Sequence, residues 1–309
     1  MKQDGPNSPA RRAWGARLVV LVPGLWLAAL FLVPFLIVLK ISLSETVMAQ
    51  PPYQPVLDIS AGWQGIKDFV AALSLQNYAA LGSDMIYGLS YLRSLWIAAV
   101  STLLLLVLGY PIAYGIARAP RRAQTILVML LMLPFLTAFL IRIYAWINIL
   151  QPDGLLNRAL LALGLVKAPV EWLASDTAIY IGIVYSYLPF MVLPLYAALE
   201  SIDPTLLEAA ADLGCPRWKA FWVVTVPLSL PGVAAGALLC FVPIVGEFVV
   251  PDLLGGSESI MIGQTLWNEF FGNKDWPVAS AVAVVLLALL LVPILIHQHL
   301  QLRELERRR

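Results

Sequence analysis

Apolar positions in this chain gather into six long runs at Leu18–Leu39, Leu92–Ala117, Ile126–Leu150, Ala178–Leu199, Leu230–Val250 and Pro277–Ile296. Each reaches the roughly 20 residues that a helix needs to cross a hydrocarbon layer. The pattern predicts an all-α polytopic membrane protein with about six transmembrane helices, and an even count puts both termini on one side. The first run is too long for the core of a signal peptide and lacks an adjacent small-residue cleavage site, so it reads as a retained anchor. After it, Pro51, Pro52 and Pro55 open a polar stretch in which Phe69, Leu73 and Leu81 recur at helical spacing. The expected organisation is an N-terminal extension over 1–17 and a transmembrane domain over 18–298, with a tail over 299–309. Within the domain lie a partly ordered outer cap at 42–88 and a polar loop at 200–220.

Composition supports the class: 60% of residues are hydrophobic and 13% charged. A net charge of +1 supplies no field for nucleic acid. Cys215 falls in a predicted loop and Cys240 inside a predicted span, a separation that excludes a shared disulfide or metal site. Charge matters by location. With the N-terminus inside, the inner segments hold about twice as many lysines and arginines as the outer ones, among them Arg118, Arg121, Arg122, Arg217 and Lys219. The loop at 200–220 therefore faces the cytoplasm. Pro111, Pro134, Pro189, Pro194, Pro243 and Gly246 interrupt the spans, and the backbone groups they free need partners in neighbouring helices or in a water-lined cavity.

That cytoplasmic loop has its own grammar. Asp203-Pro204 suits a helix start, because the carboxylate caps free N–H groups and proline in the first turn forfeits no hydrogen bond. The segment TLLEAAADL follows, and Gly214 is its left-handed terminator. Pro216 then opens a second short helix, RWKAFW, leading into the next span. Ala209 and Ala210 keep one face small, Glu208 and Asp212 set charge beside it, and Leu206, Leu207, Ala210 and Leu213 form a ridge suited to a partner's groove.

The spacing of Glu208-Ala209-Ala210, Gly214, Val224 and Val226-Pro227 resembles the cytoplasmic EAA loop of permease subunits in ATP-binding-cassette importers, with valines where that family shows isoleucine and leucine. Further segments, including LVPFLIVLKISLSE, FLIRIYAWINIL, YIGIVYSYLPFMVLPLYAAL, GEFVVPDLLGG and SIMIGQTLWNEFFGNKDWPVASA, are similar to the putrescine/spermidine importer permeases, most of all the putrescine subunit. The resemblance implies the type I importer permease fold in the bacterial inner membrane, a second related permease as heterodimer partner, two ATPase subunits and a periplasmic polyamine-binding protein, all in membrane lipid. It also implies that Glu208, Ala209, Ala210 and Gly214 couple to the ATPases. No GxxxxGK[ST] loop occurs in the chain, so ATP-Mg is expected on the ATPase subunits and no cofactor, metal or catalytic residue here. Spermidine, iron or an oxyanion is an alternative cargo, and an ion-coupled secondary transporter an alternative class that would not require the EAA loop.

An ionisable group in the hydrocarbon layer is a functional candidate because its insertion is costly. Glu247, beside Pro243 and Gly246, suits a polyamine's ammonium ends; its alternatives are an ion pair with Arg142 or support of a broken helix. Arg142 would repel such a cargo and is expected to form an ion pair or to reach the outer interface. Tyr144, Trp146, Tyr187 and Trp267 offer π faces to an amine, or belong to an interfacial aromatic belt. Asp252, Glu258, Glu269 and Asp275 are an acidic group in the last outer loop that draws in a cation, docks a binding protein or is simply solvated.

Overall fold

The computed structural model describes residues 20–56, 62–256 and 259–307, so the extension over 1–17 and Glu258 lie outside the described residues. The chain divides into two units, one of 1–83 with 269–285 and the other of 84–268 with 286–309.

The second, larger unit is built on three long helices, α4 (Met85–Arg118), α8 (Asp176–Glu200) and α10 (Arg217–Val245). Asp84 caps α4 by accepting the Ile86 N–H at 2.8 Å, and the Ser175 hydroxyl caps α8 by accepting from Ala178 N at 3.2 Å. At positions 90, 94, 97, 98, 101, 105, 109, 113 and 116 α4 is buried, one stripe at helical period. Its other face is equally apolar, with Leu92, Trp96, Leu103 and Val107 exposed. A helix hydrophobic all round has lipid as its solvent. Between helices, where lipid offers no hydrophobic drive to association, close packing and interhelical hydrogen bonds must hold the bundle. Both are present: the Tyr110 and Ser229 hydroxyls lie 2.8 Å apart across α4 and α10, and at Gly232 the backbone of α10 meets Ala198 and the Pro194 carbonyl of α8. The Arg93–Asp176 ion pair, at 2.7 Å, ties α4 to the start of α8, and Asp176 also accepts the Ser259 hydroxyl.

Two predicted runs have a different form. The third is no straight span: α5 (Arg121–Met132) tightens into a 3-10 turn at Leu133–Leu136, and after an 87° bend come α6 (Phe139–Leu150) and α7 (Leu155–Ala162). Pro134 has no N–H to continue the ladder, and Thr137 and Ala138 take extended backbone beyond it. The fifth run was expected over Leu230–Val250. Instead the short helix at Arg217–Ala220 passes through a π-helical stretch, Phe221–Thr225, into a continuous α10 that stops at Val245. Val249–Leu254 form a separate helix, α11, and Ile262–Trp267 another, α12.

The first unit holds α1 (Val20–Ser42), a two-stranded hairpin, two short helices and the start of α13 (Trp276–Arg307). Strands β1 (Glu45–Thr46) and β2 (Tyr53–Gln54) pair antiparallel, and α2 (Gly62–Ala71) and α3 (Gln76–Ser83) follow. Asn77 donates to the Ser42 and Ser44 carbonyls at 2.9 and 2.7 Å, pinning α3 to the end of α1. Thr46 donates to Asp275 at 2.6 Å, and Trp276 stacks on Phe270 with ring centroids 5.1 Å apart.

The contact at Gly232 generates a prediction. A Cβ there would overlap the Ala198 side chain and stand 2.9 Å from the Pro194 carbonyl. Gly232→Leu is expected to cost about 1–3 kcal/mol through overpacking. Thermal unfolding in detergent should show a midpoint several degrees lower, whereas the lipid-facing Leu103→Ala leaves it nearly unchanged.

Candidate functional site

The polar loop folds as a short helix, α9 (Thr205–Asp212), closed at both ends by the residues its sequence singles out. Asp203 accepts the Thr205 N–H at 2.9 Å, and hydrogen bonds from the backbone and hydroxyl of Thr205 hold the Asp203 carboxyl below its ordinary value. At the other end Gly214 has φ +76°, Cys215 N donates to Ala210 O at 2.9 Å and Gly214 N to Ala211 O at 2.8 Å. These are the paired hydrogen bonds of a left-handed helix terminator. No residue of α9 is buried. Glu208, Ala209 and Asp212 are exposed and Ala210 half-buried, while Leu213 is 88% exposed and Trp218, just beyond the turn, 70%. Of the ridge, Leu206 and Leu213 are exposed, and Leu207 and Ala210 are half-buried.

Glu247 stands where the backbone breaks. After α10 ends, its Oε1 accepts the N–H of Val249 at 3.0 Å and that of Val250 at 3.5 Å, the free donors at the start of α11. Its Oε2 accepts the Tyr187 hydroxyl of α8 at 2.6 Å. Only 8% of the residue is exposed. The carboxylate thus does what an isolated broken helix in lipid cannot do for itself, which is to satisfy N–H groups where water is scarce. Gly263 brings α12 against the same break, since a Cβ there would stand 2.7 Å from the Glu247 carbonyl.

Aromatic rings extend from this point. Phe190 lies 6.1 Å from Tyr187, Phe135 meets Phe190 edge-on at 6.0 Å, and Phe248 stacks on Trp267 at 4.7 Å. Phe190 and Trp267 are 47% and 43% exposed, so ring surface remains open near the carboxylate. Other candidates lie apart. Trp146 packs edge-on against Tyr185 and lines an apolar groove of about 500 Å³ with Leu104, Leu108 and Tyr180, whose lining carries no charged side chain. Tyr144 is exposed on α6. Asp252 accepts from Gln264 at 3.1 Å, and Glu269, which belongs to the other unit, accepts from Asn273 at 2.8 Å.

Arg142 and Glu247 do not pair. Among the described residues Arg142 has no ion pair, and it does not reach outward: it is 9% exposed, its guanidinium 4.3 Å from the Phe135 ring. Phe135, Phe248 and Gly263 were not candidates from the sequence. One phenylalanine among many carries no signal, and a glycine reveals a close backbone approach only once its neighbour is known.

Long apolar helices, one bent span and an exposed helical turn define the class, a polytopic membrane protein. Residues 106–304 match the family model of the binding-protein-dependent transport system inner membrane component. The spermidine/putrescine transport system permease protein PotB of Escherichia coli K12 is 42% identical over 213 residues, 69% of this chain and 77% of that protein. PotB of Haemophilus influenzae is 36% identical over 269 residues, 86% and 88% of the two chains. The structure also resembles a bacterial alginate ABC transporter solved with an alginate pentasaccharide-bound periplasmic protein, at TM-score 0.71 and 17% identity over 95% of this chain and 96% of that one. The chain belongs to the family of inner-membrane permease components of binding-protein-dependent ABC importers.

The cap of α9 generates a second prediction. Because Asp203 has a depressed value when folded, its stabilising contribution is complete above the ordinary aspartate range and is lost as pH falls below about 4. Backbone protection of α9 in hydrogen exchange should therefore be the same at pH 7 and pH 5. Asp203→Ala should lower that protection several-fold, and Asp203→Asn should retain most of it.

Proposed function

We propose that this chain is one of two permease subunits of an ATP-driven polyamine importer, putrescine being its foremost cargo. The observation that carries the reading is the capped, glycine-terminated turn of α9, which displays Glu208 and Ala209 with Leu206 and Leu213 exposed beside them. Such a surface is fit to lie in the groove of another protein. In this reading the loop faces the cytoplasm, both termini lie inside, and each permease rests its turn on one ATPase subunit, where ATP-Mg is bound and hydrolysed. A periplasmic binding protein delivers the cargo from the other side.

The cycle follows from how these parts are joined. Closure of the two ATPases draws the two loops together. Lys219 and Arg217 lie at the start of α10, so movement of the loop passes without a flexible linker along that continuous helix to its end at Val245 and the break at Glu247. The spans rock outward to accept cargo, and hydrolysis resets the inward-facing state. At the break, Glu247 supplies a fixed negative charge within the apolar layer, and Tyr187, Phe190, Phe248 and Trp267 supply π faces. Both suit an ammonium group that has shed part of its water. Glu247 keeps further lone pairs beyond its three donors, so it can hold the break and attract the cation together. The similarity to relatives named as spermidine/putrescine permeases supports this cargo.

The test is uptake of labelled putrescine and spermidine into vesicles carrying the whole complex, with and without internal ATP. Glu247→Gln should lower uptake at least tenfold while subunit stoichiometry is retained, and full uptake in this variant would remove the carboxylate from the path. At Gly214 the left-handed backbone makes Gly214→Val cost about 1–2 kcal/mol locally. This variant should assemble and hydrolyse ATP without cargo accumulation, and wild-type coupling would sink the docking role of α9. ATP-dependent uptake of an anion in place of either polyamine would overturn the cargo.

A further inference from the structure

Arg118, Arg121 and Arg122 take no part in the proposed transport cycle. They stand at the turn that joins α4 to α5: Arg118 closes the last turn of α4, Ala119 takes extended backbone, and Arg121 begins α5. All three are exposed, and none forms an ion pair among the described residues. The Arg118 guanidinium lies 5.5 Å from the centre of the Tyr114 ring, which steadies the charge without neutralising it. Three cations so close together repel one another unless an anion joins them.

The helix that follows gives this charge an apolar neighbour. Arg121, Gln124, Thr125, Val128 and Met129 recur at helical spacing, so one face of α5 passes from a cation through two polar groups to apolar side chains over about 12 Å. That face lines a cleft of about 530 Å³, completed by Tyr196 and Glu200, one turn apart at the end of α8. Beside it Ile126, Met129 and Leu130 are exposed, and apolar side chains left open on a membrane helix have acyl chains as their solvent. The cleft thus has a polar end, where α4 and α8 finish, and an apolar end further along α5.

These two ends select the occupant. A polyamine would be repelled by Arg121 and its neighbours. A soluble anion, or an acidic patch on a protein outside the membrane, would meet the arginines but has no use for Val128 and Met129. A phospholipid matches both ends, with its phosphate at the arginines and its chains along α5, and basic clefts between membrane helices are recurrent sites for anionic head groups. The one carboxylate of the lining, Glu200, accepts hydrogen bonds only, so it needs a donor opposite it. Phosphatidylglycerol supplies both a full negative charge for the arginines and head-group hydroxyls for Glu200. Phosphatidylethanolamine has a donor for Glu200 but no net charge, and leaves the positive surplus of the turn unanswered. We propose that the cleft between α5 and the end of α8 binds phosphatidylglycerol, with its phosphate on Arg121, its glycerol hydroxyls on Glu200 and an acyl chain against Val128 and Met129. The inference goes beyond the proposed function and is independent of the cargo.

The test titrates the purified, delipidated complex in detergent with phosphatidylglycerol, phosphatidylethanolamine or phosphatidylcholine and counts bound lipid by native mass spectrometry. Wild type should bind phosphatidylglycerol at least fivefold more tightly than either of the other lipids. Arg121→Gln should weaken that binding at least fivefold, and so should Val128→Trp, which fills the apolar end of the cleft and leaves every charge in place. Lys167→Gln removes an exposed cation ahead of the opposite end of α8 and should change nothing. Arg121→Gln, at an exposed position, decides the matter alone if Val128→Trp fails to assemble. Wild-type binding by either assembled variant would overturn the proposal, as would equal affinity for phosphatidylethanolamine. Displacement of the lipid by inorganic phosphate would overturn it in favour of a site for a free anion. Loss of the ATPases from the Arg121→Gln complex, with phosphatidylglycerol binding unchanged, would overturn it in favour of a protein partner.

Discussion

A helix cannot be broken inside an apolar layer unless something receives the N–H groups it releases, and here that acceptor is the Glu247 carboxylate. It binds the start of α11 through Val249 and Val250 and fastens that break to α8 through Tyr187. Insertion of an ionisable side chain costs about 2.5–3.5 kcal/mol on translocon scales. Three donors offset much of that, and the carboxyl group stands at a place where α10, α11, α12 and α8 meet. In the proposed function, structural support and cargo recognition are therefore not rival roles for Glu247, because the geometry that satisfies the backbone also fixes where its carboxyl group stands.

The rest of the larger unit can be understood as holding this junction steady while leaving its far end free to be pulled. Close approaches at Gly232 and Gly263 let helices pack closely, one of the contacts that hold helices together when lipid removes the hydrophobic drive. In contrast, α9 has no buried residue and is ordered by local devices, a carboxylate cap and a left-handed glycine. A rigid element held mainly through its ends is suited to transmit the displacement of a partner. In the proposed cycle the continuity of α10 from Arg217 to Val245 provides the lever.

Much of this was legible in the sequence because it depends on local chemistry. Most of the apolar runs, the Asp203 cap and the Gly214 terminator follow from periodicity and φ preference, and the structure has them. The broken helix at Glu247 was foreshadowed by Pro243 and Gly246, although its hydrogen bonds were not. The failures were of two kinds. The run Ile126–Leu150 looks continuous by hydropathy, yet Pro134 and the extended Thr137 and Ala138 turn it by 87°, and hydropathy has no sense of direction. Arg142 was expected to find an ion pair or the interface, and burial among Phe135 and Phe139 gives it neither. Pairing depends on how distant helices are rotated, which no periodicity within one of them records.

The central claim is that α9 is the surface through which an ATPase moves this permease. It is tested most directly by placing a cysteine at Ala209, on the exposed face of α9, in a complex whose other accessible cysteines are removed, and measuring cross-linking to the ATPase through the nucleotide cycle. If α9 is that surface, Ala209→Cys cross-links efficiently to the ATPase groove, with a yield that changes between the ATP-bound and nucleotide-free states, and a cysteine at the exposed Leu103 gives none. An intact, transport-active complex in which Ala209→Cys never cross-links to the ATPase in any nucleotide state would contradict it.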